Sequence, residues 1–169
     1  MPSPLEIRWL RRRDLPDVLA IERASFTCPW SEADFDATLR RPYCFGLAAE
    51  QCSSRWQSLC GYLLGALDGK CVHLLNVAVA PDSRRCGIGT RLVGEVIERL
   101  HSSGRRLLVV LGERNVPAQL FYRAQGFRAV GVLRDFWNGT ADDAYLLEHR
   151  PGDRSAPFLP ANRIAAYLK

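Results

Sequence analysis

The sequence predicts one α/β domain built on a mixed sheet. Its 169 residues are the size of a single domain. Strand-like apolar runs at 44–49, 59–67, 73–79, 105–111, 127–133 and 144–148 are interleaved with helix-period segments near 15–25, 31–39, 88–100 and 116–125. That order, helices then strands then helix, strand, helix and strands, suits helices packed on a sheet. A composition of 47% hydrophobic and 24% charged residues excludes a disordered or fibrous chain.

The elements follow in order. Asp14 is placed to cap a helix opening at Leu15-Pro16, with Val18, Ile21 and Ser25 at helical spacing. Cys28-Pro29-Trp30 breaks it. Ser31 starts a second short helix through Phe35 and Leu39, with Asp34 where a capping box prefers Glu. Two strands then flank a polar turn at Ser53-Ser54-Arg55. The run 73–79 is almost wholly apolar, as expected of a central strand. Pro81 ends it, and a basic glycine loop leads into a helix whose apolar face is Ile88, Leu92, Val93, Val96, Ile97 and Leu100, with Gly104 as its stop. Asn115 caps the next helix and Gly126 terminates it. Domain boundaries of 5–150 are expected, followed by an extension over 151–169 that joins a proline-rich loop to a helical stretch at 162–168.

The +5 net charge comes almost wholly from arginine, since Lys70 and Lys169 are the only lysines. These arginines are spread along the chain, so a solvated surface and a local anionic ligand are the readings, and direct nucleic-acid binding is not expected. Six cysteines show no Cys-x-x-Cys pair and no His at zinc spacing; reduced, packed thiols are expected, and no metal. No apolar run approaches the ~20 residues of a membrane span. Residues 1–6 show no basic region leading into an apolar stretch. A cytoplasmic protein without membrane attachment is expected.

The unit at 73–100 carries the chemistry. A helix N-terminus offers unpaired amides and partial positive charge, and glycines admit a phosphate close to the backbone. Arg84 and Arg85 add charge at the entry, making a pyrophosphate cradle. The nucleotide-hydrolysing P-loop does not fit, because the spacing and the lysine are absent. The dinucleotide fingerprint fails too, because Leu92 stands at its last glycine position.

Arg84-x-x-Gly87-x-Gly89 between an apolar strand and a long helix resembles the acetyl-coenzyme A signature of the GNAT N-acetyltransferases. Asn115-x-x-Ala118-x-x-Phe121-Tyr122-x-x-x-Gly126-Phe127 resembles that superfamily's second signature. Ile21-Glu22, Pro29-Trp30-Ser31-Glu32 and Phe35 resemble the N-terminal helices of the RimI-type ribosomal-protein alanine N-acetyltransferases. The likeness covers roughly residues 5–150. It implies a mostly antiparallel central sheet flanked by helices, with acetyl-CoA as co-substrate. It also implies that Val77, Ala78 and Val79 run beside the pantetheine and acetyl group. Arg84, Arg85, Cys86, Gly87, Ile88, Gly89 and Thr90 would surround the pyrophosphate, Asn115 would contact the cofactor, and Tyr122 would donate a proton to the leaving thiolate.

The chemistry is consistent with these roles. An amine attacks the thioester carbonyl, whose developing oxyanion needs a fixed donor such as a strand amide near Val77 or Ala78. Coenzyme A leaves as a thiolate. Full transfer from a phenol at ~10 to a thiol at ~8.5 is uphill by roughly 2 kcal/mol in water, a gap that narrows for a buried thiolate. The pattern departs from the family at the base. RimI-type enzymes carry a glutamate five residues before the motif asparagine, and here that residue is Val110. Glu113, His73 (ordinary pKa near ~6.5) and Glu22 are the candidate replacements.

A strong base is dispensable for one acceptor class. An α-amine at ~7.7–8.0 is roughly a fifth to a third neutral near pH 7.4, whereas a lysine at ~10.4 is about 0.1% neutral. The expected function is therefore acetyl transfer to a protein N-terminus, with the N-terminal alanine of a ribosomal protein as the target the resemblance implies. The alternatives are a GNAT enzyme for a small amine, with Asp135, Asp142 and Asp143 as its acids, or a catalytically silent coenzyme A-binding module.

Overall fold

A computed structural model of the protein describes residues 4–52, 57–136 and 142–152. The expected turn at 53–55 and the extension from 153 onward lie outside the described residues. Among the described residues seven strands form one sheet: β1 (Leu5–Trp9), β2 (Cys44–Cys52), β3 (Gln57–Asp68), β4 (Cys71–Val79), β5 (Arg106–Gly112), β6 (Arg128–Leu133) and β7 (Ala144–His149). Their order is β1-β2-β3-β4-β5-β7-β6. Every neighbouring pair is antiparallel except β4 and β5. The helices are α1 (Leu15–Ser25), α2 (Glu32–Leu39), α3 (Ile88–His101) and α4 (Val116–Ala124).

The sheet separates two apolar layers. On one face α1 and α2 bury Val18, Ile21 and Phe35 against Ala48, Tyr62, Leu64 and Ala78. On the other, α3 and α4 bury Leu92, Val93, Val96 and Tyr122 against Leu63, Leu74, Val109 and Leu147. Each fully buried aliphatic side chain contributes about 1.5–3 kcal/mol over its exposed state, so both layers hold the strands firmly.

Within the described residues the expected elements are present, with two local differences. The five-residue strand β1 is additional to the strands expected from the sequence. Asp14 precedes α1 but makes no side-chain cap. Its carboxylate instead accepts from the Arg11 backbone N–H at 2.7 Å and from the Arg8 guanidinium, because β1 brings that cation within reach. Asp34 does complete a capping box despite its short side chain: Ser31 N–H donates to its carboxylate at 2.8 Å, and Asp34 N–H donates to Ser31 Oγ at 3.3 Å.

The sheet positions the site by coming apart. Parallel pairing of β4 with β5 runs from Cys71↔Arg106 to Leu74↔Val109 and stops. Beyond it β5 stays with β7 through Gly112↔Ala144, while β4 stays with β3 through Gly61↔Val79. Leu75 is bulged out of the β3 ladder, since Gly65 opposes Leu74 and Leu64 opposes Asn76. The extra residue reverses the facing of the strand. Val72 and Leu74 point to the α3/α4 layer, Asn76 and Ala78 point the other way, and Val77 and Val79 return to the α3/α4 layer.

Candidate functional site: an opening between two parallel strands

The free edge of β4 has a defined polarity. Ala80 N–H donates to the Cys60 carbonyl of β3 at 2.8 Å. A methyl built on Gly61 would stand 2.9 Å from the Ala78 carbonyl, so that group also faces β3. Backbone polar groups alternate along a strand. The N–H groups of Val77 and Val79 therefore face the opening, and those of Asn76 and Ala78 do not. Two backbone donors, those of Val77 and Val79, line the gap, and the Ala78 amide is turned to β3.

The basic loop lies at the end of β4. Arg84 turns back into the protein: Nε donates to the Val79 carbonyl at 3.0 Å and Nη2 to Ser25 Oγ at 2.9 Å. Its side chain braces β4 against α1. Arg85 is exposed at φ 64° and Gly87 adopts φ 77°. These left-handed residues turn the chain so that α3 begins with Ile88 buried and Thr90 outside. Arg91 N–H is bonded to the Gly87 carbonyl, which leaves the amides of Ile88, Gly89 and Thr90 without helical acceptors. A methyl on Gly89 would lie 3.3 Å from the Phe121 ring, so α3 and α4 meet closely at this glycine. Thr90 Oγ1 accepts from Gln125 Nε2 at 3.2 Å, tying the two helices a second time. Cys86 is exposed in the same loop, as is Cys28 near the end of α1. Among the described cysteines only Cys60 is a fully buried thiol.

Tyr122 lies on α4 with 4% exposure, its ring edge-on to Phe121 and Phe127 at 5.0 and 5.1 Å. Burial pushes its phenol well above the usual value. Such a phenol donates a hydrogen bond more readily than it surrenders a proton. Asn115 caps α4, Oδ1 accepting from Ala118 N–H at 3.2 Å, so any contact with a ligand is left to its NH2 group.

The three base candidates are not equivalent. His73 opposes Leu108 in the closed half of β4 and β5, four residues and ~13 Å of strand from Val77, with Nε2 3.8 Å from Asp68. The structure does not bring it to the opening. Glu113 stands one residue past β5, at the mouth, its N–H donating to the Asp143 carbonyl at 3.0 Å. Glu22 reaches β4 from the α1/α2 face with 1% exposure. Its oxygens accept from Trp30 N–H at 2.8 Å, from Asn76 Nδ2 at 3.2–3.3 Å and from the Tyr62 hydroxyl. Val110 pairs with Leu146 of β7 and offers no polar group from its side chain. The role of Asn76 in this cluster is not evident in the sequence, where it reads only as the polar residue of an apolar strand.

A split between parallel strands, two amides facing it, and a glycine-led helix N-terminus at its end fit a long acyl carrier ending in a pyrophosphate. The Acetyltransferase (GNAT) family matches residues 15–127. The N-alpha-acetyltransferase RimI of Mycobacterium tuberculosis is 27% identical over 159 residues, 90% of this chain and 97% of that protein. The ribosomal protein bS18-alanine N-acetyltransferase of Escherichia coli is 27% identical over 144 residues, 83% of this chain and 94% of its own length. The crystal structure of the ribosomal-protein-S18-alanine N-acetyltransferase from Escherichia coli superposes with a TM-score of 0.77 at 22% identity, covering 92% of this chain and 100% of that one. This protein belongs to the GNAT family of acetyltransferases and is an acetyl-CoA-dependent N-acetyltransferase.

Proposed function

We propose that the protein acetylates the N-terminal α-amine of a polypeptide in the cytoplasm, with the N-terminal alanine of a ribosomal protein as its first candidate. The observation that carries this reading is the absence of a carboxylate at position 110, where a valine pairs with β7. An acceptor that is already partly neutral needs no strong base, and an α-amine meets that condition while a lysine does not. The names of the relatives in Escherichia coli and Mycobacterium tuberculosis support the same acceptor class.

Acetyl-CoA supplies the activated thioester; the protein supplies donors and alignment. Val77 N–H, facing the opening, donates to the thioester oxygen as charge develops there. Val79 N–H and Asn115 hold the pantetheine. Arg85, Cys86, Gly87, Ile88, Gly89 and Thr90 receive the pyrophosphate through backbone amides and one exposed guanidinium, while Arg84 fixes the loop from behind. The amine nitrogen bonds to the carbonyl carbon, the carbon–sulfur bond breaks, and the Tyr122 hydroxyl donates to the departing thiolate. The surplus amine proton leaves at the mouth, through Glu113 or water.

Of the three acids that would serve a small cationic amine, Asp142 and Asp143 are already ion-paired, 2.8 Å from Arg114 and Arg134, which weakens that reading. The direct test is thiol release from acetyl-CoA with an alanine-first peptide, compared with the same peptide blocked at its terminus and carrying an internal lysine. Turnover confined to the free-terminus peptide supports the reading, and faster acetylation of the lysine overturns it.

A further inference from the structure

Glu22 closes a ring of contacts linking the turn after α1 to the strand that lines the opening. Its Oε1 accepts the Trp30 N–H at 2.8 Å. The Trp30 ring packs edge-on to Phe35, with centroids 5.5 Å apart, and Phe35 packs edge-on to Tyr62 at 5.7 Å. The Tyr62 hydroxyl returns to Glu22 and lies 3.2 Å from Asn76 Oδ1. Asn76 Nδ2 donates to both Glu22 oxygens. Asn76 directly follows the bulge at Leu75 and directly precedes Val77. A single buried carboxylate thus holds the segment around Trp30 and the rotation of β4 at the residue where its facing reverses. Three donors already occupy its oxygens. Burial, and next the adjoining Glu22, raise the Tyr62 phenol, which keeps it a donor.

We infer that Glu22 is a positioning residue: through Tyr62 and Asn76 it sets the orientation of the Val77 amide, and through Trp30 it fixes the turn after α1 against the same strand. Resting on the acetyl-transfer reading above, this implies that Glu22 governs how well an amine and the thioester are aligned, with little effect on acetyl-CoA affinity.

Glu22→Gln and Tyr62→Phe test it. The substituted glutamine keeps an oxygen for Trp30, and rotation of its amide together with that of Asn76 restores pairing. Glu22→Gln is therefore expected to retain kcat on the alanine peptide within ten-fold, with the acid limb of the pH profile where the wild type has it. Tyr62→Phe removes only the hydroxyl. It is expected to lower kcat/KM for the peptide five- to fifty-fold, with acetyl-CoA Kd within two-fold, and to speed hydrogen exchange at the Asn76 amide, which faces β3, ten-fold or more. A loss beyond ten-fold in Glu22→Gln, or an acid limb that moves or disappears, overturns the inference in favour of a proton acceptor. Tyr62→Phe with unchanged exchange at Asn76 overturns it as well. If the wild type binds acetyl-CoA but acetylates no free-terminus peptide, the acceptor reading fails by itself, and the exchange rate at Asn76 alone decides the role of Glu22.

Discussion

Ala80 donates its backbone N–H to the Cys60 carbonyl at 2.8 Å, and by alternation that bond directs the Val77 amide into the opening between β4 and β5. Replacing Val77 with its α-hydroxy acid counterpart, which turns this N–H into an ester oxygen, should leave the fold intact and lower kcat by about 10²–10³, the usual loss of one oxyanion donor. The same exchange at Ala78 removes a bond to β3. It should cost about 1 kcal/mol of stability while leaving kcat nearly unchanged. Equal kinetic losses at both positions would contradict the assignment of Val77. Steady-state kinetics beside thermal unfolding separates the two effects.

On the proposed mechanism Tyr122 serves the leaving thiolate as a protonated phenol, and burial raises that phenol. Protonation therefore persists above the ordinary tyrosine value of about 10. The kcat profile should show no basic limb from this group up to about pH 10, and Tyr122→Phe should lower kcat by about 10²–10⁴ without altering acetyl-CoA Kd. A basic limb at or below about pH 10 that vanishes in Tyr122→Phe would show that burial does not raise this phenol.

The two glycine- and asparagine-led signatures are readable in the sequence because each lies within one strand–loop–helix segment, where fixed spacing implies fixed geometry. The facing of β4 is not. The run 73–79 is apolar on both faces, so nothing in it announces that Leu75 is bulged and that Asn76 turns toward Glu22. The brace from Arg84 to Ser25 joins residues far apart in sequence and depends on where α1 ends. β1 escapes the pattern because its five residues include Arg8, an inward-facing cation whose partners Asp14 and Glu50 come from other elements.

Arg8 sets the acid stability of the N-terminal part of the fold. Its Nη1 and Nη2 donate to Asp14 at 2.7 and 2.9 Å, and its Nε donates to Glu50 at 2.9 Å. The three side chains retain 11, 8 and 12% exposure. Burial pushes the Asp14 carboxyl up, but hydrogen bonds from Arg8 and the Arg11 amide outweigh it and hold the group below the usual range. Hydrogen bonding to Arg8 does the same for Glu50. Carboxyls lowered in the folded state contribute stability above their unfolded values near 4 and lose it as pH falls through the folded values. Arg8→Met should cost about 1–3 kcal/mol at pH 7 by leaving the buried Asp14 and the partly exposed Glu50 carboxylates without their cation. The gap to the wild type should shrink steadily below about pH 4. Urea titrations at pH 7, 4 and 3 would reveal it, and a gap that widens with acid would rule out this linkage.

Substitutions at the adjacent Arg84 and Arg85, in the loop before α3, should differ in their salt dependence. Arg84 is bonded to Val79 and Ser25, whereas Arg85 is exposed at φ 64° beside the free amides of α3. An exposed guanidinium attracts a pyrophosphate through a screened field, and the Debye length falls from ~10 Å at 0.1 M to ~3 Å at 1 M. Arg85→Ala should weaken acetyl-CoA about three- to ten-fold at low ionic strength, the loss expected from about 1 kcal/mol of exposed ion pairing, and most of that loss should disappear in 1 M salt. Arg84→Ala removes a brace between α1 and β4, so its effect on KM should persist at every salt concentration and be accompanied by a lower Tm. Titrating acetyl-CoA against both variants at two ionic strengths distinguishes them. A salt-sensitive loss in Arg84→Ala together with a salt-insensitive one in Arg85→Ala would reverse the assignment, placing the phosphate contact on Arg84 and requiring its bonds to Val79 and Ser25 to break when the cofactor binds.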